Sequence, residues 1–230
     1  MKLASLCSGG KDSISALFWA VCRGHDVKVL VTLKSENPES YMWHVPNIDL
    51  VRVQAKAISL PLIFKSTKGE KEKELLDLKK ALQLAKKKYR IQGVVSGALA
   101  SRYQKERIEG ICKELRLKCF NPLWHIDPQQ YIEHMVLAGF EVVITGVAAE
   151  GLDETWLGKT IDIKALENLK ELHRKYRFHL AFEGGEAETF VLDGPIFKRK
   201  IKIVSAEKIM EDENTGRYLI KKVELVKKGK

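Results

Sequence analysis

Residues 8–13 read SGGKDS, set between the apolar run KLASLC (2–7) and the run ISALFWAVCRG (14–24). KLASLC is short, apolar and closed by glycines, which predicts a buried first strand. Beyond the loop, Ile14, Leu17, Phe18 and Val21 fall at helical spacing, and Gly24 supplies a stop. A strand, a glycine loop and a helix together aim main-chain N–H groups at an anion. Gly9 and Gly10 let the backbone approach closely, and the start of the helix adds the positive end of its dipole. Ser8 and Ser13 can donate hydroxyl hydrogen bonds, and Lys11 can add a charge. The bland alternative is a β–α turn with Asp12 as the helix cap. Serine at both ends and two adjacent glycines favour the phosphate reading. The loop is neither the G-x-x-x-x-G-K-[ST] nor the G-x-G-x-x-G pattern.

Outward from the loop, DVKVLVTLKS (26–35) reads as a β-branched strand. NPESYMWHVPN (37–47) is a loop with two prolines, IDLVRVQAKAIS (48–59) a helix and PLIFKST (61–67) a strand. EKEKELLDLKKALQLAKKKY (70–89) is a long amphipathic helix with Leu75, Leu78, Leu82 and Ala85 as its stripe. Its closing lysines suit the helix dipole. IQGVVSGALA (91–100) is the next strand and SRYQKERIEGICKELR (101–116) its helix. This alternation predicts an α/β fold: a Rossmann-like parallel sheet with helices on both faces, joined by right-handed crossovers. Ligands of such sheets bind at the carboxyl ends of the strands, where CSGGKDS and VSGALASRYQ both fall.

The second half is less regular and predicts a smaller C-terminal α+β portion. DPQQYIEHMVLAGF (127–140) and IKALENLKELHRKY (163–176) read as helices, and EVVITGVAAEGL (141–152) as a strand and loop. RKIKIVSAEKIMED and RYLIKKVELVKK, either side of ENTG (213–216), predict a terminal β-hairpin. The division expected is 1–118 and 119–230, with no Gly/Ser/Pro tether to mark it.

The 230 residues are 45% apolar and 30% charged, which suits a packed globular chain. The net charge of +10 fits an anionic ligand, nucleic acid or acidic protein partner, or simply a lysine-rich solvated surface. Cys7, Cys22, Cys112 and Cys119 form no C-x-x-C pair, so buried free thiols in a reducing compartment are expected. No signal peptide and no membrane-length apolar run is read, and the expected location is cytoplasmic.

Ser96, Gly97 and Ala98 end a strand on small residues, which lets a nucleotide lie against the backbone or a helix pack close. Tyr103 and Arg107 share a helix face, with Gln104 beside them. They either reach a ligand at the strand ends or are surface residues. Trp124, His125 and His134 are read as packing or surface residues, and Cys7 as a core thiol. Glu183, Glu186 and Glu188 crowd three carboxylates into six residues. If EAETFV is extended, Glu186 and Glu188 project to one face, and their repulsion favours a bound cation or a retained proton. The alternative is a solvated acidic turn.

SGGKDS after an N-terminal strand resembles the PP-loop of the N-type ATP pyrophosphatases, enzymes with an adenine nucleotide alpha hydrolase-like fold that cleave ATP between its α and β phosphates. SGALASRYQKERIE (96–109) and EGGEAETFVLDGP (183–195) are similar to the motifs of the diphthine–ammonia ligase family, over nearly the whole chain. The resemblance implies ATP-dependent amidation of the diphthine carboxylate on translation elongation factor 2 through an acyl-AMP, with ammonium as nitrogen donor and Mg²⁺ beside the ATP. Ser8, Gly9, Gly10, Lys11, Asp12, Ser13, Ser96, Gly97 and Ala98 would hold ATP or pyrophosphate. Tyr103, Gln104, Arg107, Glu183, Gly184, Gly185, Glu186, Glu188 and Thr189 would meet the acceptor, and Lys11, Glu186 and Glu188 would serve catalysis. Metal ligands are left open. No glutamine-hydrolysing module is read, hence free ammonium; no stable nucleic-acid or membrane partner is expected, and a homo-oligomer is left open. The rival readings are a PP-loop enzyme acting on tRNA and a nucleotide-binding regulator without catalysis.

Overall fold

A computed structural model describes residues 1–36, 47–69 and 73–229. The proline loop expected over 37–47 lies outside the described residues except for Asn47, as do the first three residues of the helix expected over 70–89. The chain divides into two compact units, Met1–His125 and Ile126–Lys230.

The first unit runs β1 (Lys2–Leu6), α1 (Lys11–Cys22), β2 (Asp26–Ser35), α2 (Val51–Ile58), β3 (Leu62–Thr67), α3 (Lys73–Tyr89), β4 (Gly93–Val95), α4 (Arg102–Glu114) and β5 (Lys118–Phe120). Its five strands are all parallel, in the order β3-β2-β1-β4-β5. The chain steps from β1 out to β3, then returns to the other side of β1 for β4. With right-handed crossovers this reversal puts α1 and α2 on one face and α3 and α4 on the other. Ala4, Val29, Val31, Leu33 and Val94 of the sheet pack with Leu78, Ala81, Leu82 and Ala85 of α3 and Ile108 and Ile111 of α4. Such strands, covered on both sides, need apolar residues at consecutive positions.

Two local expectations shift. In α1 the expected Ile14 and Leu17 are buried, together with Ser13, Ala16 and Ala20, while Val21 is exposed. The alanines let the helix lie close to the sheet; Phe18 is half-buried and Val21 turns outward. β5 was not foreseen as a strand, because its three residues carry no readable period. The expected division at 118/119 falls inside β5, which pairs with β4.

The second unit runs α5 (Pro128–Leu137), β6 (Glu141–Ala148), α6 (Ile163–Tyr176), β7 (Ala187–Asp193), β8 (Arg199–Met210) and β9 (Thr215–Lys227). The four strands make an antiparallel sheet in the order β7-β6-β9-β8. Asp127 and Asp162 cap α5 and α6, accepting the N–H of Gln130 at 2.8 Å and of Ala165 at 2.7 Å. The predicted hairpin is present: β8 and β9 pair from Arg199–Lys227 to Met210–Gly216.

Candidate functional site

The order β3-β2-β1-β4-β5 has its topological switch point between β1 and β4. The loops after these two strands are SGGKDS and SGALAS, so the fold brings the two first-unit motifs to the one edge where open α/β sheets take ligands. Gly9 has φ +88°, a left-handed conformation that costs a residue with a side chain. Gly10 is the N-cap of α1 and supplies no side-chain cap, while Asp12 lies in the first turn. The bland reading of Asp12 as the cap is therefore not what ends the loop.

The loop is braced from within. The Ser13 hydroxyl donates to the Gly10 carbonyl at 3.0 Å and accepts the Ser8 N–H at 3.2 Å and the Ser8 hydroxyl at 3.3 Å. The Thr32 hydroxyl donates to the Cys7 carbonyl at 2.7 Å. Gln54, fully buried on α2, donates its amide to the Gly9 carbonyl at 2.9 Å. Lys11 is buried, and its ammonium meets both Asp12 carboxylate oxygens at 2.9 Å. Its charge is thus partnered, and a phosphate must compete with or share Asp12. Cys7 is a core thiol, as expected, pushed up from 9.0 to about 11 by burial.

At the end of β4, the Ser96 hydroxyl donates to Asn121 Oδ1 at 2.6 Å, and Asn121 Nδ2 donates to Glu109 at 3.1 Å. Gly97 has a plain reason to be glycine. A Cβ there would stand 2.6 Å from the carbonyl carbon of Asp12 and 2.7 Å from the Ser13 nitrogen. Of the two readings of this small-residue stretch, close helix packing accounts for Gly97: β4 ends against the first turn of α1. Ala98 is buried beside it. Ser101 caps α4 by accepting the Gln104 N–H at 3.3 Å. Tyr103 and Arg107 do share a face, with the guanidinium 3.4 Å from the ring centroid. Lys105 sits over Trp124 at 4.5 Å, and Trp124 packs edge-on against His125.

In the second unit, the residues before β7 fold into a compact turn around two side chains. Glu186 bends back, and its carboxylate accepts the N–H of His179 at 2.7 Å and of Gly184 at 2.9 Å. His179 Nδ1 accepts the N–H of Ala181 at 3.3 Å and of Glu183 at 3.4 Å, which leaves the ring hydrogen on Nε2. Phe182 (φ +61°) and Gly185 (φ +87°) make the reversals. A Cβ on Gly184 would press on the Glu186 carboxylate at 2.8 Å. The local acidity thus has a cause at Glu186 in the main chain itself. Glu188 stands in β7 opposite Gly146, its side chain lying over the glycine, and Thr189 is buried.

Among the described residues, no group of three or more His, Cys, Asp or Glu side chains is gathered to hold a metal. His134 is exposed. Cys22 is exposed as well, against the expectation that the thiols are buried, because it ends the helix face that turns to solvent. No helix among the described residues is long and apolar enough to cross a membrane. Gln54, Asn121 and His179 were missed in the sequence. Only Gln54 carried a signal: it occupies a stripe position of VRVQAKAI, with Val51, Ala55 and Ile58.

A glycine loop opening a helix at the switch point of a parallel sheet is the arrangement in which α/β proteins hold phosphate-bearing ligands. The chain belongs to the diphthamide synthase family: residues 1–119 match its N-terminal domain and residues 127–226 its C-terminal domain. It is 35% identical to the diphthine–ammonia ligase of Mus musculus over 91% of this chain and 85% of that one, and 34% identical to that of Homo sapiens over the same shares. These relatives are ligases, and the chain is an enzyme of that class. By shape, a chain described as a predicted subunit of tRNA methyltransferase from Methanocaldococcus jannaschii aligns with a TM-score of 0.43 and 16% identity, over 85% of this chain and 98% of that one.

Proposed function

We propose that the chain amidates the diphthine carboxylate of elongation factor 2. A carboxylate oxygen attacks the α-phosphorus of ATP and pyrophosphate leaves. Ammonia then attacks the acyl carbon of the resulting acyl-AMP, AMP leaves, and the nitrogen gives up a proton to complete the amide. Activation is needed because a carboxylate has no adequate leaving group, and AMP supplies one. The single observation that carries the reading is the braced SGGKDS loop at the switch point, in a chain of this family.

In this reading the residues from Ser8 to Ser13 take the pyrophosphate portion, with Mg²⁺ sharing its charge. Ser96, Gly97 and Ala98 line the nucleotide, and Tyr103, Gln104 and Arg107 reach toward the ligand. Electrostatic stabilisation of the polyphosphate is the main task of the loop. Lys11 contributes once a phosphate draws its ammonium from Asp12. Glu183, Gly184, Gly185, Glu186, Glu188 and Thr189 serve the acceptor, whose trimethylammonium group and ammonium co-substrate suit carboxylates. Glu186, already holding two main-chain N–H groups, gives that turn its shape, which leaves Glu188 as the better proton acceptor. The reaction is placed in the cytoplasm.

The test is to incubate the chain with ATP, ammonium and diphthine-bearing elongation factor 2, and to weigh the factor. A product lighter by the exchange of a carboxylate oxygen for an amide nitrogen, with AMP and pyrophosphate released, is expected. ADP as the main nucleotide product, or an unchanged factor, defeats the reading.

A further inference from the structure

Gln54 lies 45 residues from the glycine loop in sequence, on α2, and is fully buried. An amide placed among Val51, Ala55, Ala57 and Ile58 carries a desolvation cost unless it is hydrogen-bonded. Its nitrogen donates to the Gly9 carbonyl at 2.9 Å.

The direction of that bond matters more than its strength. The chain has no cis peptide among its described residues, so the Gly9–Gly10 link is trans. In a trans peptide the carbonyl and the N–H point opposite ways. Drawing the Gly9 carbonyl toward α2 therefore aims the Gly10 N–H away from α2. A Gly–Gly link is the one least able to hold its own plane, because neither residue has a Cβ to limit its dihedrals. Were the plane to turn over, a carbonyl oxygen would take the place of the N–H, and a partial negative charge would face an anion.

Two neighbouring peptides are fixed in the same way. The Cys7 carbonyl is held by Thr32 at 2.7 Å, and its Ser8 N–H by Ser13 Oγ at 3.2 Å. The Gly10 carbonyl accepts the Ser13 hydroxyl at 3.0 Å and the Ile14 N–H at 3.2 Å. Of the three carbonyls, only that of Gly9 depends on a side chain from α2.

We propose that Gln54 is a positioning residue for phosphate binding: it fixes the Gly9–Gly10 peptide plane so that the Gly10 N–H, and not a carbonyl oxygen, meets the polyphosphate. This rests on the reading of SGGKDS as the phosphate loop.

The test uses the full chain, with ATP, inorganic pyrophosphate and AMP as probes in calorimetry, for wild type and Gln54→Met. Methionine matches the length of glutamine and cannot donate. Binding of ATP and pyrophosphate is expected to weaken about tenfold, the worth of one anchored hydrogen bond, with AMP affected less. In turnover, the KM for ATP rises and the KM for ammonium holds. A structural glutamine would lower the melting temperature and leave the ATP-to-AMP preference in place, and that result overturns the proposal. Should the methionine variant not fold, Gln54→Leu, which cannot donate either, carries the same expectation; failure of both to fold makes Gln54 a core residue and equally overturns it. If wild type binds neither ATP nor pyrophosphate, the loop reading itself falls. Wild-type binding with an undiminished Gln54→Met sinks the positioning role alone.

Discussion

Gly97 and Asp12 are in backbone contact: a Cβ added to Gly97 would lie 2.6 Å from the Asp12 carbonyl carbon and 2.7 Å from its oxygen. The end of β4 thus wedges the first turn of α1, and the two motifs after β1 and β4 form one piece of structure.

Gly97→Ala is therefore expected to push α1 or the β4 loop aside. Overpacking against backbone costs about 1–3 kcal/mol. Chemical denaturation should show that loss, and ATP affinity should fall with it. A variant as stable as wild type would mean the loop yields without strain.

Gly9→Val places a β-branched side chain at φ +88° in the mouth of the loop. Backbone strain and blocked approach together should abolish ATP use. Lys11→Ala should weaken it less, because the lysine is already paired with Asp12. Pyrophosphate release measured in both variants gives the ranking; wild-type turnover by Gly9→Val removes the loop from the reaction.

Glu186→Gln puts an amide NH₂ against one of the two N–H groups now accepted by the carboxylate. The turn should loosen, amide formation should drop, and ATP binding should be spared. Glu188→Gln should lower amide formation without the accompanying loss of stability. If ATP affinity collapses in either variant while acceptor binding holds, these glutamates belong to the nucleotide or its metal.

Burial holds the Cys7 thiol neutral up to about 11, against 9.0 when exposed. Above pH 9 the unfolded chain gives up this proton and the folded chain keeps it. The stability present below pH 9 is then lost as pH rises toward 11, by up to about 1.4 kcal/mol per pH unit from this group. The difference in denaturation midpoint between wild type and Cys7→Ala should follow that window. At pH 8 a thiol reagent should modify exposed Cys22 before buried Cys7. A Cys7 that reacts as fast as Cys22 contradicts the burial.

The basic charge is expected to give no tight, sequence-specific RNA binding at physiological salt. Titration with tRNA at two salt concentrations should show weak, salt-sensitive association at most. A specific footprint would favour an enzyme acting on tRNA.

The order of strands and helices in the first unit, β5 excepted, was legible in the sequence, because apolar runs bounded by glycine and a 3.6-residue stripe are local properties. So were SGGKDS as a strand–loop–helix, the terminal hairpin and the shared face of Tyr103 and Arg107. What the tertiary structure decided is everything that depends on residues distant in sequence. The reversal of direction after β3 set β4 beside β1 and so joined the loops at 8–13 and 96–101. Gln54 met Gly9 because α2 folds back across the sheet, and a buried glutamine has no meaning until its partner is known. β5 became a strand only by pairing with β4. Glu183, Glu186 and Glu188 of EGGEAE looked like one acidic cluster in sequence, where charges are counted without direction. The fold turned Glu186 onto two main-chain N–H groups and left Glu188 in the strand, so identical side chains two residues apart came to stand in different surroundings.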